Sequence, residues 1–221
     1  MKDPHPSGTV ILLKEAGNNF EILLLRRNTK LSFHGGAWVF PGGRVDRKDY
    51  TNKENNIVDA ARNAAVRETQ EEAGIAILPE NLVLISRWTT PEGLPKRFIA
   101  WFFVTTVKGD SVRIDGDEIS DYRWMSPDLA LDAQRSGEIE LPPPTLVTLL
   151  TLVEYRNVET ILSTLAKQQY MIFEPRVLET KDGLCFLYEG DAGYELRDAN
   201  QPGARHRLWI LEDGYKYEYS G

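Results

Sequence analysis

Three glutamates, Glu68, Glu71 and Glu72, stand at i, i+3 and i+4 in a stretch from Ile57 to Ala73 that is dense in Ala, Val, Arg and Glu. Those spacings put all three carboxylates on one face of a helix turn. Ala61, Ala64 and Ala65 form a small apolar stripe along the same stretch, and Gly74 is a C-cap residue. The pattern predicts a helix over 57–73. Like charges at this spacing each cost a few tenths of a kcal/mol on an exposed helix, so the cluster calls for open solvent or a bound cation. Hard oxygen ligands suit magnesium or manganese, which take few carboxylates and keep waters for substrate phosphates.

Around this helix the chain reads as short strands. Gly8–Lys14 and Phe20–Arg27 are apolar runs separated by a Gly-Asn turn, a hairpin pattern. Ala37–Phe40 is a third strand, stopped by Pro41, Gly42 and Gly43. Asp46–Asn56 is polar, without apolar period, and reads as an exposed loop. Asn81–Trp88, Arg97–Val107, Val112–Ile114 and Tyr122–Met125 are further strands by content. Ser126-Pro127 opens a helix towards Arg135, Thr145 starts another to about Tyr155, and Asn157 caps one to about Lys167. From about Tyr170 short Gly-punctuated strands return, which gives a domain over 1–169 and a strand-rich extension over 170–221.

At 221 residues, 42% hydrophobic and 27% charged, the chain can bury a core without staples. Its one cysteine, Cys185, excludes an intramolecular disulfide and a multi-cysteine zinc site, and fits a cytoplasmic setting. No run of 18 apolar residues suggests a membrane span. A net charge of −7 disfavours duplex nucleic acid as a partner, since such binding rests on clustered Lys and Arg. Small phosphorylated ligands stay compatible with it through local cations and a bound metal.

Gly43 followed by Arg67-Glu68-Thr69-Gln70-Glu71-Glu72-Ala73-Gly74-Ile75 resembles the Nudix box, G-x5-E-x7-R-E-U-x-E-E-x-G-U with U aliphatic. The second half departs only at Thr69. Gly43 and Arg67 are ten residues further apart than the pattern allows. That reads as a surface insertion over 44–58 that puts the first box glutamate on Asp59. Trp38–Asp46, Thr90–Phe98 and Tyr122–Pro127 resemble the branch of the family that includes the peroxisomal coenzyme A diphosphatase and its bacterial relatives. The likeness covers roughly residues 6–160, with a weaker match at 174–194. Ile99-Ala100 replaces the branch's usual Asp-Thr. Ser32 and Ala37 stand where its upstream signature has an arginine and a glutamate.

The resemblance implies an α/β/α sandwich with a mixed sheet. It also implies Mg2+ or Mn2+ held by Glu68, Glu71, Glu72 and the Gly43 carbonyl, with Arg67 orienting the carboxylates. Glu68 is the favoured base and Glu118 the rival; Arg27, Lys96 and Arg97 are candidate phosphate contacts, with Arg26 a further one. The implied reaction cleaves the diphosphate of a small nucleoside-diphosphate-type substrate, with coenzyme A or an acyl derivative ahead of ADP-ribose, dinucleotides and nucleoside triphosphates. The alternative is a non-catalytic metabolite sensor on the same fold, which can lose the glutamates this chain keeps. An isomerase would want a cleft cysteine, and Cys185 lies outside the box domain. His34 and its neighbour Phe33 sit in a loop that could line the cleft. Trp88, Trp101 and Phe102 fit core packing better than base stacking. Arg205-His206-Arg207 has the composition of a small anion patch. The extension is expected to pack on the core or on a second subunit of a homodimer.

Overall fold

A computed structural model describes residues 3–31, 34–51, 56–109 and 111–220; Ser32 and Phe33 lie outside them. In chain order the elements are β1 (His5–Ala16), β2 (Asn19–Arg27), β3 (Trp38–Val39), β4 (Gly42–Arg44), α1 (Ile57–Ala73), β5 (Val83–Thr89), β6 (Phe98–Thr106) and β7 (Ile119–Met125). They continue as α2 (Pro127–Arg135), α3 (Pro143–Leu152), α4 (Val158–Leu165), β8 (Met171–Phe173), β9 (Arg176–Thr180), β10 (Gly183–Leu187), β11 (His206–Leu211) and β12 (Gly214–Tyr219).

The central sheet runs β3-β2-β1-β6-β5-β8, with β4 added to β1 and β7 to β2. It is mixed, because β1 pairs parallel with β6 and β5 parallel with β8 while the other pairs are antiparallel. Alternation along β1 sorts the two faces. Val10 and Leu12 join Ala61 and Ala65 of α1, while Ile11 and Leu13 join Leu131, Leu146, Leu149 and Ile161 from α2, α3 and α4. These layers are the expected α/β/α sandwich. Gly8 sets the spacing on the α1 side, since a Cβ there would overlap the Ala61 carbonyl. The glycine therefore lets α1 settle directly onto β1 and brings its glutamates to the sheet end where β4 pairs.

Local chemistry explains the element ends. Asn56 Oδ1 accepts from Val58 N at 2.9 Å to open α1, and Gly74 closes it with φ 69°. Ser126 and Asn157 cap α2 and α4 as expected. The third strand ends before Pro41 as expected, but Gly42–Arg44 then turn back onto β1 opposite Ser7–Thr9 as a strand of their own. Two expectations are corrected. Val112–Ile114 is no strand; Arg113 N donates to Ala73 O at 2.8 Å and covers the end of α1 instead. The polar stretch after Asp46 is not uniformly exposed, since Arg47–Asp49 form a 3-10 turn and Asp49 is only 4% exposed.

After α4 the chain adds β8 to the central sheet before making a second, four-stranded sheet, β12-β11-β10-β9. That sheet packs on the core of its own chain, where Leu208, Phe186, Ile210, Tyr215 and Tyr217 join the cluster on the α2–α4 side. Trp88 stacks on Phe173 with centroids 3.8 Å apart, and Tyr188 meets both edge-on. Arg205-His206-Arg207 is no surface anion patch as a unit. Arg207 is buried against Asp191, with N–O distances of 2.6 and 2.7 Å, and His206 is buried with Nδ1 on the Glu189 carbonyl. Cys185 is fully buried, as expected, and burial pushes its thiol up to about 11. No helix among the described residues is long and apolar enough to cross a membrane.

Candidate active site

The glutamate face of α1 meets the backbone of β4. A Cβ at Gly43 would overlap the Glu68 carboxylate, so glycine is what allows that side chain to lie across the strand. One residue earlier, Gly42 N donates to Glu72 Oε2 at 2.9 Å. Thr69 fills the position where the box has an aliphatic residue. It is fully buried, and its hydroxyl donates to Ala65 O at 2.7 Å, which leaves the methyl to pack without an unsatisfied oxygen.

Arg67 fastens the site. Its guanidinium donates to Asp49 Oδ1 (3.1 Å) and Oδ2 (2.9 Å), Glu68 Oε1 (2.7 Å), Glu71 Oε2 (2.9 Å) and the Arg44 carbonyl (2.9 Å). All the donors of the fork are thereby used. The bidentate hydrogen bonds to Asp49 do most to hold this group protonated. Asp49 also accepts from Asp46 N at 2.7 Å, so its buried charge is satisfied on both oxygens. Asp49 lies six residues after Gly43, where G-x5-E places the first glutamate, and it takes the place that the sequence reading assigned to Asp59. Asp59 is instead in the first turn of α1, where its charge acts on Arg62. Arg44 and Asp49, both within the stretch read as an insertion, thus contact Arg67 directly.

Burial pushes the Glu72 carboxyl up to about 8, against the single N–H of Gly42, and Glu68 and then Glu118 push the same way while Arg27 opposes them. Burial also raises Glu68, opposed by Arg67. The charge of Glu118 thus acts on both Glu68 and Glu72, and that of Arg27 on Glu72. Among the described residues no three carboxylate, histidine or cysteine groups converge as around one ion, because Glu71 turns to Arg67 and to Lys48 at 3.5 Å. Magnesium needs only one or two carboxylates besides waters and phosphates. A buried Glu72 with one hydrogen-bond donor, beside Glu68 and the glycine backbone, fits such a cation.

The other candidates lie further out. Arg97, just ahead of β6, is four residues from Trp101, which pairs with Gly8, itself paired with Gly43. At ~3.3 Å per residue this puts Arg97 roughly 13 Å along the sheet from that row. Its Nε donates to Thr90 O at 3.3 Å, closing the β5–β6 hairpin, with Lys96 beside it in the turn. His34 has φ 52° in the loop after β2, and Arg27 acts on it as it does on Glu72. Trp88, Trp101 and Phe102 are core residues, each under 7% exposed. The residue that sequence reasoning missed at the centre is Asp49; its signal was the unbroken count from Gly43.

The NUDIX domain model matches residues 3–146, and the chain belongs to that family. It is 27% identical over 172 residues to "Putative nudix hydrolase 7" of Caenorhabditis elegans, covering 62% of this chain and 57% of that protein. It is 22% identical over 273 aligned positions to the Acyl-coenzyme A diphosphatase NUDT19 of Xenopus laevis, covering 80% of this chain and 72% of that one. The chain thus spans little more than half the length of the first relative. Among solved structures, a NUDIX hydrolase from Alicyclobacillus acidocaldarius superposes with TM-score 0.65 at 24% identity, covering 76% of this chain and all of the other. That likeness establishes the shared fold.

Proposed function

We propose that this chain hydrolyses the phosphoanhydride bond of a nucleoside-diphosphate-linked small molecule, with Mg2+ or Mn2+ as its cofactor. The observation that carries this reading is the Arg67-fastened carboxylate face, in which buried Glu72 accepts a hydrogen bond from Gly42 N and forms no ion pair among the described residues. Glu68, Glu72, Glu71 and the Gly43 carbonyl are the groups that would hold the ion, with waters and phosphate oxygens completing its shell. A divalent cation there supplies charge neutralisation for the phosphate oxygens and acidifies bound water.

The chain's own groups do the rest. Arg67 fixes the rotamers of Glu68 and Glu71, which pre-organises the acids before substrate arrives. Glu68 accepts the proton of the attacking water, whose oxygen bonds to one phosphorus as the bridging P–O bond breaks, giving two phosphorylated products. Glu118 adds a further carboxylate whose charge acts on Glu68 and Glu72, and Arg27, whose charge acts on Glu72, is a candidate for a phosphate contact. Lys96 and Arg97, further along the sheet end, suit the distal half of a long ligand. Their spacing from the glutamates favours an extended conjugate over a compact triphosphate. With the naming of one relative as an acyl-coenzyme A diphosphatase, it ranks coenzyme A and its acyl derivatives ahead of ADP-ribose and dinucleotides.

A hydrolysis panel tests the reading: coenzyme A, an acyl-coenzyme A, ADP-ribose, a dinucleotide and nucleoside triphosphates, each with magnesium and with chelator. Metal-dependent cleavage of a conjugate into two phosphorylated halves, without release of pyrophosphate, is expected. Tight binding without turnover would instead favour a sensor.

A further inference from the structure

Glu118, whose charge acts on Glu68 and Glu72, stands on a loop that α1 does not carry, and that loop is held by the turn after β2. The ladder between β2 and β7 shifts register at Arg26/Arg27, and beyond the shift Asn28 N donates to Glu118 O at 2.7 Å. The Asn28 side chain then does two things. Its Nδ2 donates to Asp117 O at 3.1 Å, and its Oδ1 accepts from Lys30 N at 3.1 Å. One residue therefore grips two successive carbonyls of the Glu118 loop and also shapes the turn after β2. That turn is pinned in its own right, with Arg27 N on Ala37 O at 2.9 Å and Gly36 N on Arg27 O at 3.0 Å. On the far side, Asp115 accepts from Ile119 N at 2.9 Å and from Glu118 N at 3.4 Å.

We infer that Asn28 is a positioning residue: its side-chain amide, bonded to the Asp117 carbonyl, holds Glu118 over the Glu68–Glu72 face and joins the Glu118 loop to the turn that follows Arg27. Glu118 is itself exposed, and an exposed carboxylate on an unfastened loop samples many positions. Its field at Glu68 and Glu72 depends on the backbone of Asp117 and Glu118 being held. Asn fits this position because it carries a donor and an acceptor on one short side chain and suits turns. This inference rests on the hydrolase reading only for where Glu118 acts.

The test is a double-mutant cycle on the full chain with two readouts: kcat and KM for the conjugate, and Mn2+ affinity without substrate. The backbone bond from Asn28 N survives any substitution, so Asn28→Ala is expected to fold with a nearly unchanged melting temperature. It should lower kcat about tenfold with KM within about twofold, and weaken Mn2+ about threefold. Placed in Glu118→Gln it should add nothing to either readout, because the group it positions is already lost. Asn28→Ser keeps an acceptor for Lys30 N but cannot reach Asp117 O, and should behave as Asn28→Ala does. Effects that multiply in the double variant, full recovery in Asn28→Ser, or wild-type behaviour of Asn28→Ala would each overturn the inference. A wild-type chain that cleaves no conjugate would overturn the hydrolase reading alone, while the Mn2+ cycle would still decide the role of Asn28.

Discussion

Replacing Glu72 by Gln should stabilise the metal-free protein while removing its activity. The carboxyl is 4% exposed and held at about 8 instead of its ordinary 4.5. Its folded pKa is thus raised above its unfolded value. The folded state keeps a proton that the unfolded chain releases, so the stability this group contributes is full below pH 4.5 and is lost as pH rises towards 8. At ~1.4 kcal/mol per pH unit the loss between pH 5 and 7 is about 2–3 kcal/mol. For a chain of this size that corresponds to roughly 5–10 °C in melting temperature. Gln keeps the shape and an oxygen for Gly42 N without the charge. Thermal melts in chelator should show wild type falling over pH 6.5–8, with Glu72→Gln flat over that range and higher at pH 8. Magnesium should raise the wild-type melting temperature and leave the variant where it was. A wild type that melts independently of pH in chelator, or a variant less stable than wild type at pH 8, would refute the reasoning.

Asp49→Asn removes the bidentate anion of a half-buried guanidinium, and should cost about 3 kcal/mol in a urea titration and lower kcat with it. Gly43→Ala places a methyl against the flexible end of Glu68, so it should fold with a melting temperature within a few degrees of wild type yet lose about 10- to 100-fold in kcat. His206 is buried and burial lowers its pKa. Below about 6.5 the unfolded chain takes up a proton that the folded chain refuses, so stability falls as pH drops through that value. Melts in a Glu72→Gln background, which removes the opposite slope, should decline by up to ~1.4 kcal/mol per pH unit below 6.5 and be flat once His206→Asn is added.

The helix carrying the glutamates was legible to the residue, because its alanine stripe and Gly74 are local signals. So were the hairpin and the start of α2 at Pro127. Asp49 was missed for a physical reason: a single acid in a run of polar residues looks exposed until Arg67, 18 positions on, is folded against it. Gly42–Arg44 as a strand was hidden because two glycines read as a stop, when they are there to let β1 and Glu68 approach. The buried Asp191–Arg207 pair was hidden likewise, since its partners are 16 residues apart and neither is apolar. Long-range charge pairing leaves no periodicity to read.

Whether the α1 carboxylates hold the metal that cuts a diphosphate is the decisive question for this chain. Single-turnover cleavage of a coenzyme A conjugate in 18O-water at saturating magnesium measures this directly in wild type, Glu71→Gln and Glu72→Gln. Wild type is expected to place one 18O on one phosphorylated product, and each variant to be slowed at least ~100-fold with the same product pattern. Near wild-type turnover in either variant would contradict the metal assignment, and release of pyrophosphate from nucleoside triphosphates with no conjugate cleaved would contradict the substrate class.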